Sequence, residues 1–131
     1  MRGKFFLAVG VALGVSGPVF AQSLTVVRHL PGYTCMSLNL TERQLLEGSV
    51  PVPVRAGPSS NSPQLGFAAA TVAVREPAKP VNGFLEMLFP DGRAVWIAAS
   101  MLRPWKGAND PNARCIPSLM SNGKPGFDFT N

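Results

Sequence analysis

The sequence predicts an all-β fold: a small barrel of five to six short strands, preceded by a short helix and followed by an irregular tail that a disulfide ties down. Three observations predict it. Apolar residues recur at every second position in several short runs, as in Thr71 to Arg75 and Phe84 to Phe89, which is the period of a strand with one buried face. Asp91-Gly92 stands between two such runs, the signature of a tight hairpin turn. Only one stretch, Asn39 to Gly48, carries the start and stop signals of a helix.

The chain has 131 residues, enough for one domain. Its first 21 residues read as a leader rather than as part of that domain. Arg2 and Lys4 precede an apolar run from Phe5 to Val15, Gly17-Pro18 breaks the run, and Val19-Phe20-Ala21 supplies small side chains where a signal peptidase reads. The run is shorter than the ~20 apolar residues that cross a bilayer. Cleavage after Ala21 is therefore expected, with a periplasmic or secreted product and no stable membrane insertion. Cleavage would leave ten Lys and Arg against seven acids, a net charge of about +3 in place of the full chain's +5. That is a weak attraction for anionic polymers, and no run of Lys and Arg points to nucleic acid. Cys35 and Cys115 are the two cysteines, and in an oxidising compartment an even count implies a bridge.

Residues 22 to 49 are expected to be an N-terminal segment with one short helix, irregular from residue 22 to residue 37. Leu24 to Val27 is a short apolar run and Pro31-Gly32 a turn. Thr41 followed three residues later by Gln44 is a capping box. Glu42 suits the first turn, Leu45 and Leu46 give an apolar side, and Gly48 suits the stop. The helix is expected over residues 42 to 47. Asn39-Leu40-Thr41 also matches a glycosylation acceptor, although the cap explains Thr41 more simply.

The barrel is expected over residues 50 to 105. Val50, Val52 and Val54 share one side, and the intervening Pro51 and Pro53 mark an edge strand or an extended arm. Residues 55 to 63 form a loop in which Gly57 is expected to take a backbone angle that other residues avoid. Leu65 to Ala68 reads as a short strand. In Thr71 to Arg75, Val72 and Val74 face inward. Glu76 to Gly83 is a proline-broken loop. In Phe84 to Phe89, Leu85, Met87 and Phe89 share one face, with Phe89 assigned to the core. After the Asp91-Gly92 turn comes Ala94 to Ala98, then a helical turn over residues 99 to 102. Residues 106 to 131 lose all periodicity, and Cys115 is expected to pin this irregular tail near Cys35.

From Val52 to Leu102 the chain resembles a bacterial SH3 domain. The resemblance rests on Val54 to Ser60 (VRAGPSS), Gln64-Leu65-Gly66, the alternation of Thr71 to Arg75, Asn82-Gly83-Phe84, Asp91-Gly92 and Trp96-Ile97, in that order. It implies an SH3-like barrel in an exported protein of the cell envelope, binding peptidoglycan stem peptides or a partner protein. The sequence departs from the family pattern at Phe84-Leu85, where members often carry Trp-Tyr, and at Val95, where a Gly often stands. The Gly57-Pro58-Ser59 loop feeds a strand. A phosphate cradle would instead feed a helix and carry a following Lys.

Catalysis has little to stand on. His29 is the single histidine, the acids are scattered, and no metal or cofactor set can be assembled. A non-enzymatic protein without a cofactor is expected. Aromatic residues with neighbouring arginines suit recognition of peptides or sugars, and Arg55, Phe84, Trp96 and Trp105 are the expected ligand-binding residues. Two other roles fit the same sequence. One is an accessory subunit of an envelope complex. The other is an inhibitor of an exported hydrolase, presenting residues 76 to 83.

Overall fold

The computed structural model describes residues 23–107 and 109–131; the expected leader, residues 1 to 21, lies outside them. Within the described residues, ten strands and one α-helix follow in the order β1 (Val26–His29), β2 (Tyr33–Leu38), α1 (Glu42–Glu47), β3 (Pro53–Arg55), β4 (Gln64–Phe67), β5 (Thr71–Arg75), β6 (Phe84–Leu88), β7 (Ala94–Ala98), β8 (Leu102–Pro104), β9 (Arg114–Met120) and β10 (Pro125–Thr130). They make two antiparallel sheets, one of seven strands in the order β4-β3-β7-β6-β5-β2-β8 and one of three in the order β1-β9-β10. The all-β class is as the sequence predicts.

Helix α1 spans the expected residues. The Thr41 hydroxyl accepts from the Gln44 N–H at 3.1 Å, and the Gln44 side-chain oxygen accepts from the Thr41 N–H at 2.9 Å. Gly48 ends the helix at φ 61°, the left-handed conformation in which a Cβ is costly. The hairpin at Asp91-Gly92 is equally local. The Phe89 N–H donates to Arg93 O, and the Gly92 N–H donates to Phe89 O. The Arg93 N–H and guanidinium both reach the Asp91 carboxylate, holding that carboxyl below the usual range chiefly through the backbone donor.

One face of the seven-stranded sheet carries Leu38, Val54, Val72, Val74, Leu85, Met87, Val95, Ile97 and Leu102, all buried in one cluster with Leu40 and Val52. Leu45 of α1 and Phe89 pack against it. A flat sheet would expose that face to water. Its burial, with contributions from β3 near one edge and β8 at the other, requires the sheet to curl around its own side chains.

Four expectations need correction. The tail is not irregular: β9 and β10 pair over six residues from Pro125↔Leu119 to Thr130↔Arg114. Pro117 concealed the central strand, because proline cannot donate to a ladder. Its carbonyl accepts from the Leu30 N–H, and in a strand N and C=O of one residue point the same way. The missing donor therefore falls on the β1 side, where β1 has just ended, and the β9–β10 ladder is untouched. Residues 26 to 38 are not irregular either. They form β1 and β2, and Pro31-Gly32 is the corner where the chain passes from one sheet to the other. β3 is not an edge strand: β4 covers its outer side, while Arg55↔Trp96 is its single register pair with β7. Finally, Gly57 has no positive φ. A Cβ there would lie 3.0 Å from the Ser62 hydroxyl, so close approach within the loop explains the glycine.

The three-stranded sheet packs on the outer face of β2 and β5. Cys35 and Ala73 are register partners there, both buried. Leu30, Pro117, Pro125 and Phe127 close over Ala73 and Leu88. The Cys35–Cys115 disulfide joins β2 to β9 with Cα atoms 6.1 Å apart, as the cysteine count implied. Among the described residues no helix is long and apolar enough to cross a membrane.

Candidate functional site

Strand alternation sends every second side chain to the outer face of the seven-stranded sheet. Between inward Val54, Val74, Met87, Val95 and Ile97, the outward positions are Arg55, Arg75, Glu86 and Trp96. The pairings Tyr33↔Arg75, Val74↔Met87, Glu86↔Trp96 and Arg55↔Trp96 set them in one row across five strands: Tyr33, Arg75, Glu86, Trp96, Arg55. The Arg75 guanidinium lies 5.9 Å from the centre of the Tyr33 ring and 3.7 Å from a Glu86 carboxylate oxygen. Both partners of that ion pair are partly exposed, so it contributes under about 1 kcal/mol. Its consequence is alignment: it sets two opposite charges in the groove that Trp96 also lines.

The loop of residues 76 to 83 rises over this row. Arg75, Glu76, Pro77, Lys79, Val81, Glu86 and Trp96 line an open groove between the loop and β6–β7. Val81 is held to Phe84 by paired backbone hydrogen bonds of 2.8 and 2.9 Å, and the side chain of Asn82 reaches Pro58 O at 3.4 Å. The groove thus has an aromatic wall, a fixed plus–minus pair, and in Lys79 a cation with no carboxylate partner among the described residues.

Of the residues expected from sequence, the structure brings three to this face. Arg55 and Trp96 are register partners, and Phe84 lies on the same face, opposite Ala98. Arg55 also donates to Ser62 O at 3.1 Å, so one arm of its guanidinium holds the β3–β4 loop. Trp105 is elsewhere. It stacks on Phe129 of β10, centroids 5.9 Å apart, on the side of the molecule where β8 runs out. Sequence reasoning did not select Tyr33, Arg75, Lys79 or Glu86 as site residues. For Arg75 and Glu86 a signal existed, since both are outward positions on strands whose alternation is clear.

His29 meets a carboxylate, with its Nε2 2.9 Å from Asp128 Oδ2. This contact ties β1 to β10 across β9. Ser118 is the register partner of His29, but its hydroxyl is fully buried and donates to Ile116 O at 2.9 Å. A nucleophile must be reachable and face its base, and this serine is committed to its own strand. Among the described residues no group of three His, Cys, Asp or Glu is placed to hold a metal ion. The outer face of the seven-stranded sheet brings an indole, an ion pair and a lysine together. No family model matches the chain, and neither a curated protein nor a solved structure matches it.

Proposed function

We propose that the protein is a non-enzymatic, exported binding module of the bacterial envelope, with an SH3-like barrel whose outer face takes peptidoglycan stem peptides or a similar extended peptide of a partner protein. The observation that carries this reading is the groove under residues 76 to 83, where Trp96 stands beside the Arg75–Glu86 pair and Lys79. A short peptide bearing both amino and carboxylate groups matches that charge pattern, and the indole offers its apolar part a rigid surface. The disulfide is compatible with an exported life.

Sedimentation of the protein with purified sacculi tests the reading. Binding should persist at moderate salt and fall about tenfold in Trp96→Ala, with an unchanged melting temperature as the control. A protein that stays in solution, or pellets only at low salt, contradicts wall recognition.

A second reading, an accessory subunit of an envelope complex, draws support from β1. This strand has a free edge in the order β1-β9-β10, and Val27 on it and Leu24 just before it are 60 % and 56 % exposed. A partner strand added there would cover both, and a stable co-purifying protein lost in Val27→Lys is the outcome it predicts.

A further inference from the structure

We propose that the protein has a second binding surface, formed by Arg103, Trp105, Lys106 and Phe129, that takes a chain of acidic sugars. This surface is separate from the Trp96 groove and does not depend on the reading given to that groove.

Three rings make its floor. Trp105 stacks on Phe129 with centroids 5.9 Å apart and planes 28° apart, and Phe127 continues the shelf at 5.9 Å and 32°. Phe127 is partly buried, since it also closes the seam between the two sheets. Phe129 has no such duty and is 58 % exposed. An apolar ring left in water at the outer strand of a sheet, between two other rings, calls for an occupant more than a lone exposed residue does.

Charge decides which occupant. Arg103 on β8 and Lys106 just beyond it are exposed, and neither has a carboxylate within ion-pair distance among the described residues. Arg103, Lys106 and Ser37 line one open groove. Lys106 also borders a second groove, lined by Trp105, Asn109, Asp110 and Ala113. Lys106 therefore joins a cationic channel to the aromatic shelf. Asp110, the acid in the second groove, has one carboxylate oxygen engaged by the Asn112 N–H at 2.8 Å, so its charge is partly spent on the turn.

Pyranose rings present flat C–H faces that lie on aromatic rings, while uronic acids carry a carboxylate at the ring's rim. A shelf of rings bordered by free cations matches that combination. An acidic peptide would use the cations and leave the shelf uncovered. A neutral sugar would use the shelf and leave the cations idle.

Titration calorimetry with an oligogalacturonate tests this, beside maltohexaose as the neutral sugar and oligoglutamate as the acidic peptide. The expected result is saturable binding of the oligogalacturonate, weakened about tenfold in Phe129→Ala. It should weaken at least as much in the Arg103→Glu/Lys106→Glu pair and be unchanged in Trp96→Ala. All of these positions are at least partly exposed, so far-ultraviolet circular dichroism is expected to report intact folds. Absent binding would overturn the proposal. So would equal affinity for oligoglutamate with no effect of Phe129→Ala, or loss of binding in Trp96→Ala.

Discussion

The two sheets are built on different terms. The seven-stranded sheet curls around a core of Val, Leu, Ile and Met side chains, several with no exposed surface at all. The three-stranded sheet has no such interior. Every residue of β1 is exposed, and its buried positions Pro117 and Ser118 lie on the central strand β9. What it has instead is a disulfide to β2, a seam over Ala73 and the His29–Asp128 contact. A small sheet that cannot bury enough apolar surface is held by covalent and polar links to one that can. The larger sheet is thus a rigid platform for the Trp96 groove, and the smaller one is an appendage that brings Phe129 to Trp105.

The largest test of this contrast is to cut the staple. The bridge spans 80 positions of sequence, and closing a loop of that size stabilises the native state by roughly 4 to 5 kcal/mol in the chain-entropy model. Cys35→Ser with Cys115→Ser should lower stability by several kcal/mol, up to about that figure. The amides of β9 and β10 should exchange with solvent well before those of β6 and β7. Equal protection of all four strands would show that the appendage stands on its own packing.

Next in size is a cavity in the platform. Ile97→Ala removes a fully buried side chain and should cost about 2 to 5 kcal/mol. Here the loss should be global, so that β6, β7, β9 and β10 lose protection together in urea. A milder probe is the helix cap. Thr41→Ala should cost about 1 kcal/mol, read as a shift in the urea midpoint, with no change in the exchange of β9 or β10.

The smallest effect is a pH dependence at the hairpin. Asp91 has its pKa lowered in the fold. Its contribution is therefore fully present above the ordinary carboxylate pKa of 3.8 and is lost as pH falls through the lower native value. Asp91→Asn should lower stability slightly at neutral pH, leave it unchanged at the acid end, and so flatten the acid limb of the stability curve. An acid limb of undiminished slope in that variant would exclude Asp91 as its source.

The elements legible in the sequence are those that local chemistry decides. The capping box fixes α1, Asp91-Gly92 fixes a hairpin, and β5 and β7 follow from alternation. β1, β2 and β9 were not legible as strands because what makes them so is distant. β1 pairs with a strand about ninety residues away, and β9 carries a proline whose missing donor is harmless only in this topology. The site divides the same way. Arg55, Phe84 and Trp96 are recognisable as arginine and aromatics on outward positions. The row that joins Trp96 to Glu86, Arg75 and Tyr33 exists only once β6 is registered against β5, and β5 against β2. Trp105 could not be placed at all without β10, since Phe129 is its partner.

The claim at the centre of this account is that the outer face of the platform is a peptide-binding surface. Amide and indole chemical-shift mapping tests it most directly, with a soluble muropeptide titrated into the labelled protein. The account predicts saturable shifts at the Trp96 indole, at Tyr33, Arg75 and Glu86, and along residues 76 to 83, with β9 and β10 silent. No shifts at millimolar muropeptide, or shifts confined to Trp105 and Phe129, would contradict it.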